Sequence, residues 1–285
     1  MTRLPLWLKQ RIPDAAALNT MRLVSAAAVN TVCKEARCPN SSSCFSRKQL
    51  TFMILGDTCT RNCRFCKVNK ARDKFLSVDE DEPARISRIV EKLGLKYVVI
   101  TSVSRDDLLD GGAGQFVKTI KAIRQLDRKI RIEVLIPDFG GEISCLKSLL
   151  DAGPDVVAHN IETVPGLYKD LRPEADYLSS LELLRNLKLL RPEIISKSSL
   201  MLGLGETQDE VGRTMKDLRQ NNCDILTLGQ YLAASDQQVP VKEFISLQQF
   251  LKYKDMGYSL GFKSVLSGPL VRSSYKAEEV FKEVK

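Results

Sequence analysis

Thr51-Phe52-Met53-Ile54-Leu55-Gly56-Asp57-Thr58-Cys59-Thr60-Arg61-Asn62-Cys63-Arg64-Phe65-Cys66 is the stretch on which the fold turns. Its first five residues are a near-continuous apolar run without polar alternation, the mark of a parallel strand covered on both faces. Gly56 and Asp57 end the run as turn residues. Three cysteines follow at x3 and x2 spacing, in a loop at the strand's C-terminal end. Thiolates ligate iron–sulfur clusters and structural zinc, both of which take four ligands, so three from one loop leave one position for something else.

Upstream, Cys33-x4-Cys38-x5-Cys44 supplies a second triplet, so six of the eight cysteines fall between Cys33 and Cys66. The chain has 285 residues, 44% of them apolar, which suits a soluble globular protein of one large domain or two of ordinary size. No apolar stretch approaches the roughly 20 residues of a membrane span. Pro5, Lys9, Arg11 and Pro13 break the N-terminus too early for a signal peptide. A cytoplasmic location is expected, where thiols stay reduced and a cysteine cluster is metal-binding or catalytic. The single histidine, His159, lies far downstream, so two ordinary zinc sites cannot be completed locally.

Downstream, short apolar runs alternate with amphipathic stretches. The predicted strands are 51–55, 97–101, 130–135, 156–159, 198–202, 225–228 and 263–266. The predicted helices between them cover about 83–93, 115–126, 144–150, 177–190, 207–220 and 247–261. A further helix is predicted from Asp14 to Val29, after a proline-punctuated arm (Leu4-Pro5, Ile12-Pro13). Such βα repetition implies an α/β fold with a parallel sheet. Six or seven units suggest a partial (β/α)6-type TIM barrel with its site at the strands' C-terminal ends. A doubly wound open sheet is the alternative. Residues 1–50 then form an N-terminal extension carrying the upstream triplet, 51–266 the barrel, and 267–285 a C-terminal segment.

The segment Gly56–Cys66 resembles the C-x3-C-x2-C signature of the radical S-adenosylmethionine superfamily, which implies the radical SAM version of the partial barrel. The resemblance also implies a 4Fe–4S cluster on Cys59, Cys63 and Cys66. Its open iron chelates S-adenosylmethionine and cleaves it to a deoxyadenosyl radical, with Phe65 near the adenine. The chain as a whole resembles the lipoyl synthase family nearly end to end. The shared motifs include Glu35-Ala36-Arg37-Cys38-Pro39-Asn40, Arg105-Asp106-Asp107, Asp110-Gly111-Gly112-Ala113 and His159-Asn160-Ile161-Glu162-Thr163. Met201-Leu202-Gly203-Leu204-Gly205-Glu206-Thr207 and Ser267-Gly268-Pro269-Leu270-Val271-Arg272-Ser273-Ser274-Tyr275 complete the match.

This resemblance implies a second, auxiliary 4Fe–4S cluster on Cys33, Cys38 and Cys44, with a serine of Arg272–Tyr275 as fourth ligand; Ser274 is favoured over Ser273. An alkoxide is a harder and weaker iron ligand than thiolate, suited to a cluster dismantled for its sulfur. The implied reaction inserts sulfur at C6 and C8 of a protein-bound octanoyl group. The implied partners are an octanoylated lipoyl domain (glycine cleavage H protein or 2-oxoacid dehydrogenase E2), a ferredoxin- or flavodoxin-type electron donor and an iron–sulfur carrier protein. The net charge of +8 suits an acidic protein partner, with no nucleic acid and no membrane expected.

Other residues carry a functional and a plainer reading. Asn160 and Glu162, after the fourth strand, are expected to bond ribose or substrate, and His159 beside them joins the site or is a satisfied structural group. The glycines of 110–112 and 203–205 approach the cofactor or simply turn the chain. Met201 and Gln230 line the pocket or pack. Arg105, Asp106 and Asp107 are functional by resemblance or exposed loop charges, and Cys145 and Cys223 are buried structural thiols. Two places depart from the family pattern: Lys34, where an acidic residue is common, and Ala233–Pro240, which lacks the usual proline and histidine. Two rival readings are a tRNA methylthiotransferase, whose extra domains this chain has no room for, and a zinc-stabilised binding module.

Overall fold

Seven parallel strands in chain order form the sheet of the computed structural model, which describes residues 5–8, 12–71 and 77–285. Leu4 of the predicted arm, with Lys9 and Arg11, lies outside the described residues. The strands are β1 (Thr51–Ile54), β4 (Tyr97–Ser102), β5 (Arg131–Leu135), β6 (Val156–Ala158), β7 (Ile195–Leu202), β8 (Ile225–Gln230) and β9 (Ser264–Gly268). Two-residue strands β2 (Thr58–Cys59) and β3 (Asn69–Lys70) pair separately across the cysteine loop. Each large strand pairs with the next, from Thr51 opposite Val99 to Ile225 opposite Ser264. A doubly wound sheet reverses its order at a switch point; this one does not. Among the described residues no ladder joins β9 to β1, so the barrel is partial, as expected.

Helices cover the outside. They are α4 (Glu82–Leu93), α5 (Ala113–Leu126), α6 (Ile143–Asp151), the one-turn α7 (Tyr168–Leu171), α8 (Tyr177–Leu190), α9 (Gln208–Gln220) and α10 (Leu247–Ser259). Their ends follow local chemistry. Pro83 opens α4 and Gly94 closes it in the left-handed region (φ 66°), while Thr207 and Glu210 cap α9 reciprocally. Ile86, Val90, Phe116 and Ile120 of α4 and α5 pack against Phe52, Ile54, Val98 and Ile100 of the sheet. At ~25 cal/mol per Å2 of apolar area removed from water, such wholly buried side chains dominate the fold's stability. The N-terminal extension contributes α1 (Ala15–Ala26), α2 (Val32–Glu35) and α3 (Ser41–Ser46). Asp14 caps α1 by accepting from Ala17 N at 2.8 Å. That helix stops short of Val29 because the chain turns at Ala28 (φ 51°).

Two further features differ from expectation. Strand β7 begins at Ile195, three residues before the predicted start, although Lys197 interrupts the apolar pattern. A buried lysine needs a partner, and Lys197 Nζ meets Glu133 Oε1 at 2.7 Å while Tyr97 Oη donates to Glu133 Oε2 at 2.6 Å. Replacing Lys197 with methionine leaves that carboxylate buried with only the tyrosine, so denaturant unfolding should show a loss of about 3–5 kcal/mol. The second feature is α11 (Ala277–Val284), which the sequence reading leaves without structure. Val280 and Phe281 pack on Val156, Ile195 and Ile225, the first residues of three strands, and so plug the barrel's N-terminal end.

Candidate active site

Cys59, Cys63 and Cys66 stand beyond the C-terminal end of β1, bordering a cavity of about 650 Å3. Strand ends supply its other walls, among them Ser102, Asn160 and Met201. The loop is clamped from two sides. Thr60 N and Thr60 Oγ1 each donate to the Ser104 carbonyl at 3.0 Å. Arg61, buried between the first two cysteines, donates to both oxygens of Asp138 at 2.6 Å and grips Asp106 at 2.7 Å. On the far side, Arg64 N donates to Leu171 O at 2.9 Å and its guanidinium pairs with Asp170. Burial pushes the Cys63 thiol up to about 11 and raises Cys66 too, against the pull of Arg172 and Lys70. Neutral thiols of this kind release their protons when a metal binds.

The upstream triplet closes a second cavity of about 240 Å3. Cys33, Cys38, Cys44 and Ser274 all border it. Cys33, Cys38, Arg272 and Ser274 also border the larger cavity, so the two share a wall. The C-terminal segment arrives there by close packing on β8. A Cβ on Gly229 would lie 2.1 Å from the Val271 carbonyl oxygen, so only glycine admits the segment. Asn40 Nδ2 donates to Leu270 O at 2.6 Å, tying the segment to the N-terminal extension. Thr51 Oγ1 donates to Ser274 Oγ at 2.7 Å, whereas Ser273 Oγ turns away and donates to Asn160 Oδ1 at 2.9 Å. Burial pushes Cys33 up to about 12 and raises Cys44 as well, with Arg47 opposing the shift at Cys44. All eight cysteines are free, and Cys145 and Cys223 are buried away from both triplets. Among the described residues no three His, Cys, Asp or Glu side chains converge on one ion-sized point; the triplets line cavities instead.

A profile of the Radical SAM superfamily matches residues 53–218. The chain is 50% identical over 276 residues to a lipoyl synthase of Caldanaerobacter subterraneus subsp. tengcongensis, covering 97% of this chain and 96% of that one. It is 48% identical to a lipoyl synthase of Caldicellulosiruptor saccharolyticus, with 99% and 98% covered. The chain belongs to the lipoyl synthase family. Its fold is also that of the FeFe-hydrogenase maturase HydG from Carboxydothermus hydrogenoformans, with a TM-score of 0.61 at 15% identity. That match covers 82% of this chain and 56% of the maturase, a little over half of the longer protein. Membership makes the chain a radical, sulfur-inserting enzyme dependent on S-adenosylmethionine and 4Fe–4S chemistry, and the tRNA methylthiotransferase and zinc-module readings give way to it.

In this lipoyl synthase fold the other candidate residues separate cleanly. Asn160 and Glu162 border the larger cavity, and Asn160 Nδ2 donates to Glu162 Oε1 at 3.0 Å. Glu162 takes a left-handed backbone (φ 63°), rare for a side-chain-bearing residue and concentrated at functional sites. Burial raises its carboxyl above the usual range. Phe65 is half-buried in the same cavity wall and packs with Leu171, Leu204 and Tyr231. His159 borders the cavity; its Nδ1 lies 2.9 Å from the Ile136 carbonyl and burial holds it down at about 4, so the ring is neutral with Nδ1–H donating. Met201 borders the cavity but Gln230 does not. The Gln230 amide is spent on Leu202, Tyr231, Glu243 and Ile245, holding a loop. Gly112 meets Leu55 and Gly203 meets Gln230, so both glycines serve packing rather than the cavity.

Several site residues carry no motif that the sequence reading caught. Asp138 follows β5 and receives Arg61, and Arg172 donates to the carbonyls of Asn160 and Ile161 at 3.2 Å. Position alone offers a signal for Asp138, three residues beyond the end of a barrel strand. The segment Ala233–Pro240, which departs from the family pattern, lies over the cysteine loop. Gln238 Nε2 donates to Cys66 O at 3.4 Å, Lys67 Nζ to Gln237 Oε1 at 3.1 Å and Val239 N to Arg64 O at 3.2 Å. Lys34 is exposed and pairs with Glu35 at 3.6 Å.

Proposed function

We propose that this chain inserts two sulfur atoms, at C6 and C8, into an octanoyl group borne by a lipoyl domain, using two 4Fe–4S clusters held by its two cysteine triplets. The shared wall between the cavities carries this reading: Cys33, Cys38 and Ser274 of the sulfur donor and all three cysteines of the radical source border one space. When bound, the clusters supply reductive cleavage of S-adenosylmethionine on one side and sulfide on the other. Unactivated C–H bonds require this, because no protein acid or base removes such protons near neutral pH.

The protein's part is placement. Cys59, Cys63 and Cys66 anchor three corners of one cluster, while Phe65, Asn160 and Glu162 orient the cofactor. Cys33, Cys38, Cys44 and Ser274 hold the other, and the Thr51 hydroxyl stabilises Ser274 as an anion by donating to it. Arg272 near Cys38 and Arg47 near Cys44 offset the negative charge gathered there. Apolar walls such as Val32, Val68, Ile136 and Leu200 keep water from the reacting carbon. Residues 1–50 and 267–285 then act as two extensions of the 51–266 barrel that jointly complete the auxiliary site. Among the described residues no helix is long and apolar enough to cross a membrane. The reaction is placed in the cytoplasm, with an H protein or E2 lipoyl domain as substrate carrier. A ferredoxin or flavodoxin serves as electron donor and an iron–sulfur carrier as supplier.

Anaerobic reconstitution followed by iron and sulfide analysis tests the reading: about eight of each per chain are expected, four per cluster. A content near four, or bound zinc without sulfide, overturns it. Ser274→Ala should slow sulfur insertion while S-adenosylmethionine cleavage persists, whereas Ser273→Ala should act on cofactor affinity through Asn160. Gly229→Ala forces the 269–274 segment off β8 and should lower iron towards about four with cleavage intact, measured on the same preparations.

A further inference from the structure

The smaller cavity extends well past its ligands. From Cys44, which borders it alone, it runs beyond Gln49 to Leu93, Gly94 and Lys96 at the end of α4 and to Glu278 on α11. Its rim is cationic: Arg47, Lys48 and Lys96 are exposed there, Lys48 Nζ donates to the Leu93 carbonyl at 3.2 Å, and Lys96 lies at the long distance of 3.9 Å from Asp127. The rim acid, Glu278, is engaged by Lys282 at 2.7 Å. Deeper in, Gln49 Oε1 is buried without a hydrogen-bond partner. None of these outer residues borders the larger cavity, where cofactor and acyl chain belong on the reading above.

We propose, resting on that two-cluster reading, that the smaller cavity is a second mouth of the auxiliary site, through which a preformed 4Fe–4S cluster on the thiolates of a carrier protein passes to Cys33, Cys38 and Cys44 after turnover, ligand for ligand, the incoming thiols giving their protons to the departing thiolates with no change of oxidation state. A 4Fe–4S cluster on thiolates is an anion, and a cleft ringed by cations concentrates it. The larger cavity is meanwhile filled by cofactor and by an acyl chain on a bulky carrier, so resupply from behind does not wait for product release. Ferrous iron is itself a cation, so the same rim disfavours its entry as the free ion.

The test begins with the reconstituted enzyme taken through one turnover, then given either ferrous salt with sodium sulfide or a protein bearing a thiolate-ligated 4Fe–4S cluster. Recovery of the brown charge-transfer absorbance is followed at low salt. In the Lys48→Glu/Lys96→Glu variant, recovery should slow about tenfold while the yield of the first turnover is unchanged. Slowing in the cluster-protein arm supports the route, and the ferrous-salt arm, whose cation the rim repels, should not slow. Equal recovery in variant and parent in the cluster-protein arm, or equal slowing in both arms, overturns it. So does a block of parental recovery when S-adenosylmethionine and an octanoyl-lysyl peptide fill the larger cavity without reductant. A parent that never forms a second cluster brings down the two-cluster reading itself.

Discussion

Replacing Cys38 with alanine should abolish sulfur insertion while leaving reductive cleavage of S-adenosylmethionine in place. Cys38 borders both cavities with Cys33 and Ser274, so its loss opens the shared wall of the site. Nothing nearby substitutes for it, because among the described residues the other two free thiols, Cys145 and Cys223, are buried elsewhere in the barrel. The Cys59 loop is clamped by Arg61, Thr60 and Arg64, none of which touches the upstream triplet, so that site should survive. Iron should fall from about eight to about four per chain. Product analysis by mass spectrometry should then find 5′-deoxyadenosine without any sulfur-bearing octanoyl group. Normal sulfur insertion by this variant would remove Cys38 from the donor site.

Arg61→Gln should be among the most damaging single changes outside the cysteines. The guanidinium makes two 2.6 Å bonds to Asp138, whose side chain is 9% exposed; Asp106, at 45%, is well hydrated and adds little. Removing one partner of a buried pair costs about 3–5 kcal/mol, because the other charge stays behind without compensation. For a chain of this size that lowers the midpoint of thermal unfolding by roughly 10 °C. The effect has a defined pH dependence. Burial alone would raise the Asp138 carboxyl, but the hydrogen bonds and charge of Arg61 outweigh it and hold the group at about 2, below its ordinary 3.8. This contribution is therefore complete above the unfolded value and fades as pH falls through the folded one. In metal-free protein the stability gap between parent and variant should hold from pH 7 to about pH 4 and narrow from there towards pH 2. A constant gap would mean that Arg61 acts through packing and not through Asp138.

Composition and spacing were enough for the strands and most of the helices, because buried parallel strands read as apolar runs and helices announce their ends. Pro83, Gly94 and the Thr207–Glu210 pair each mark a terminus that the structure keeps. Where a buried group has its partner far away in the chain, this signal fails. Lys197 reads as a strand breaker until Glu133, 64 residues distant, is placed beside it. The helix Ala277–Val284 has no evident place until the open end of the barrel exists for Phe281 to fill.

The site divides along the same line. Six thiols at metal-ligand spacing, three at the end of an apolar run, follow from the primary chain, since spacing within one loop is a local property. The difference between Ser273 and Ser274 does not. Adjacent in sequence and identical in chemistry, they part only because Gly229 lets the segment lie on β8, with one hydroxyl at Thr51 and the other at Asn160. The meeting of residues 33–44 with 272–274 across one wall likewise belongs to the folded chain. Contacts between segments more than 200 residues apart leave no periodic trace, and packing alone sets them.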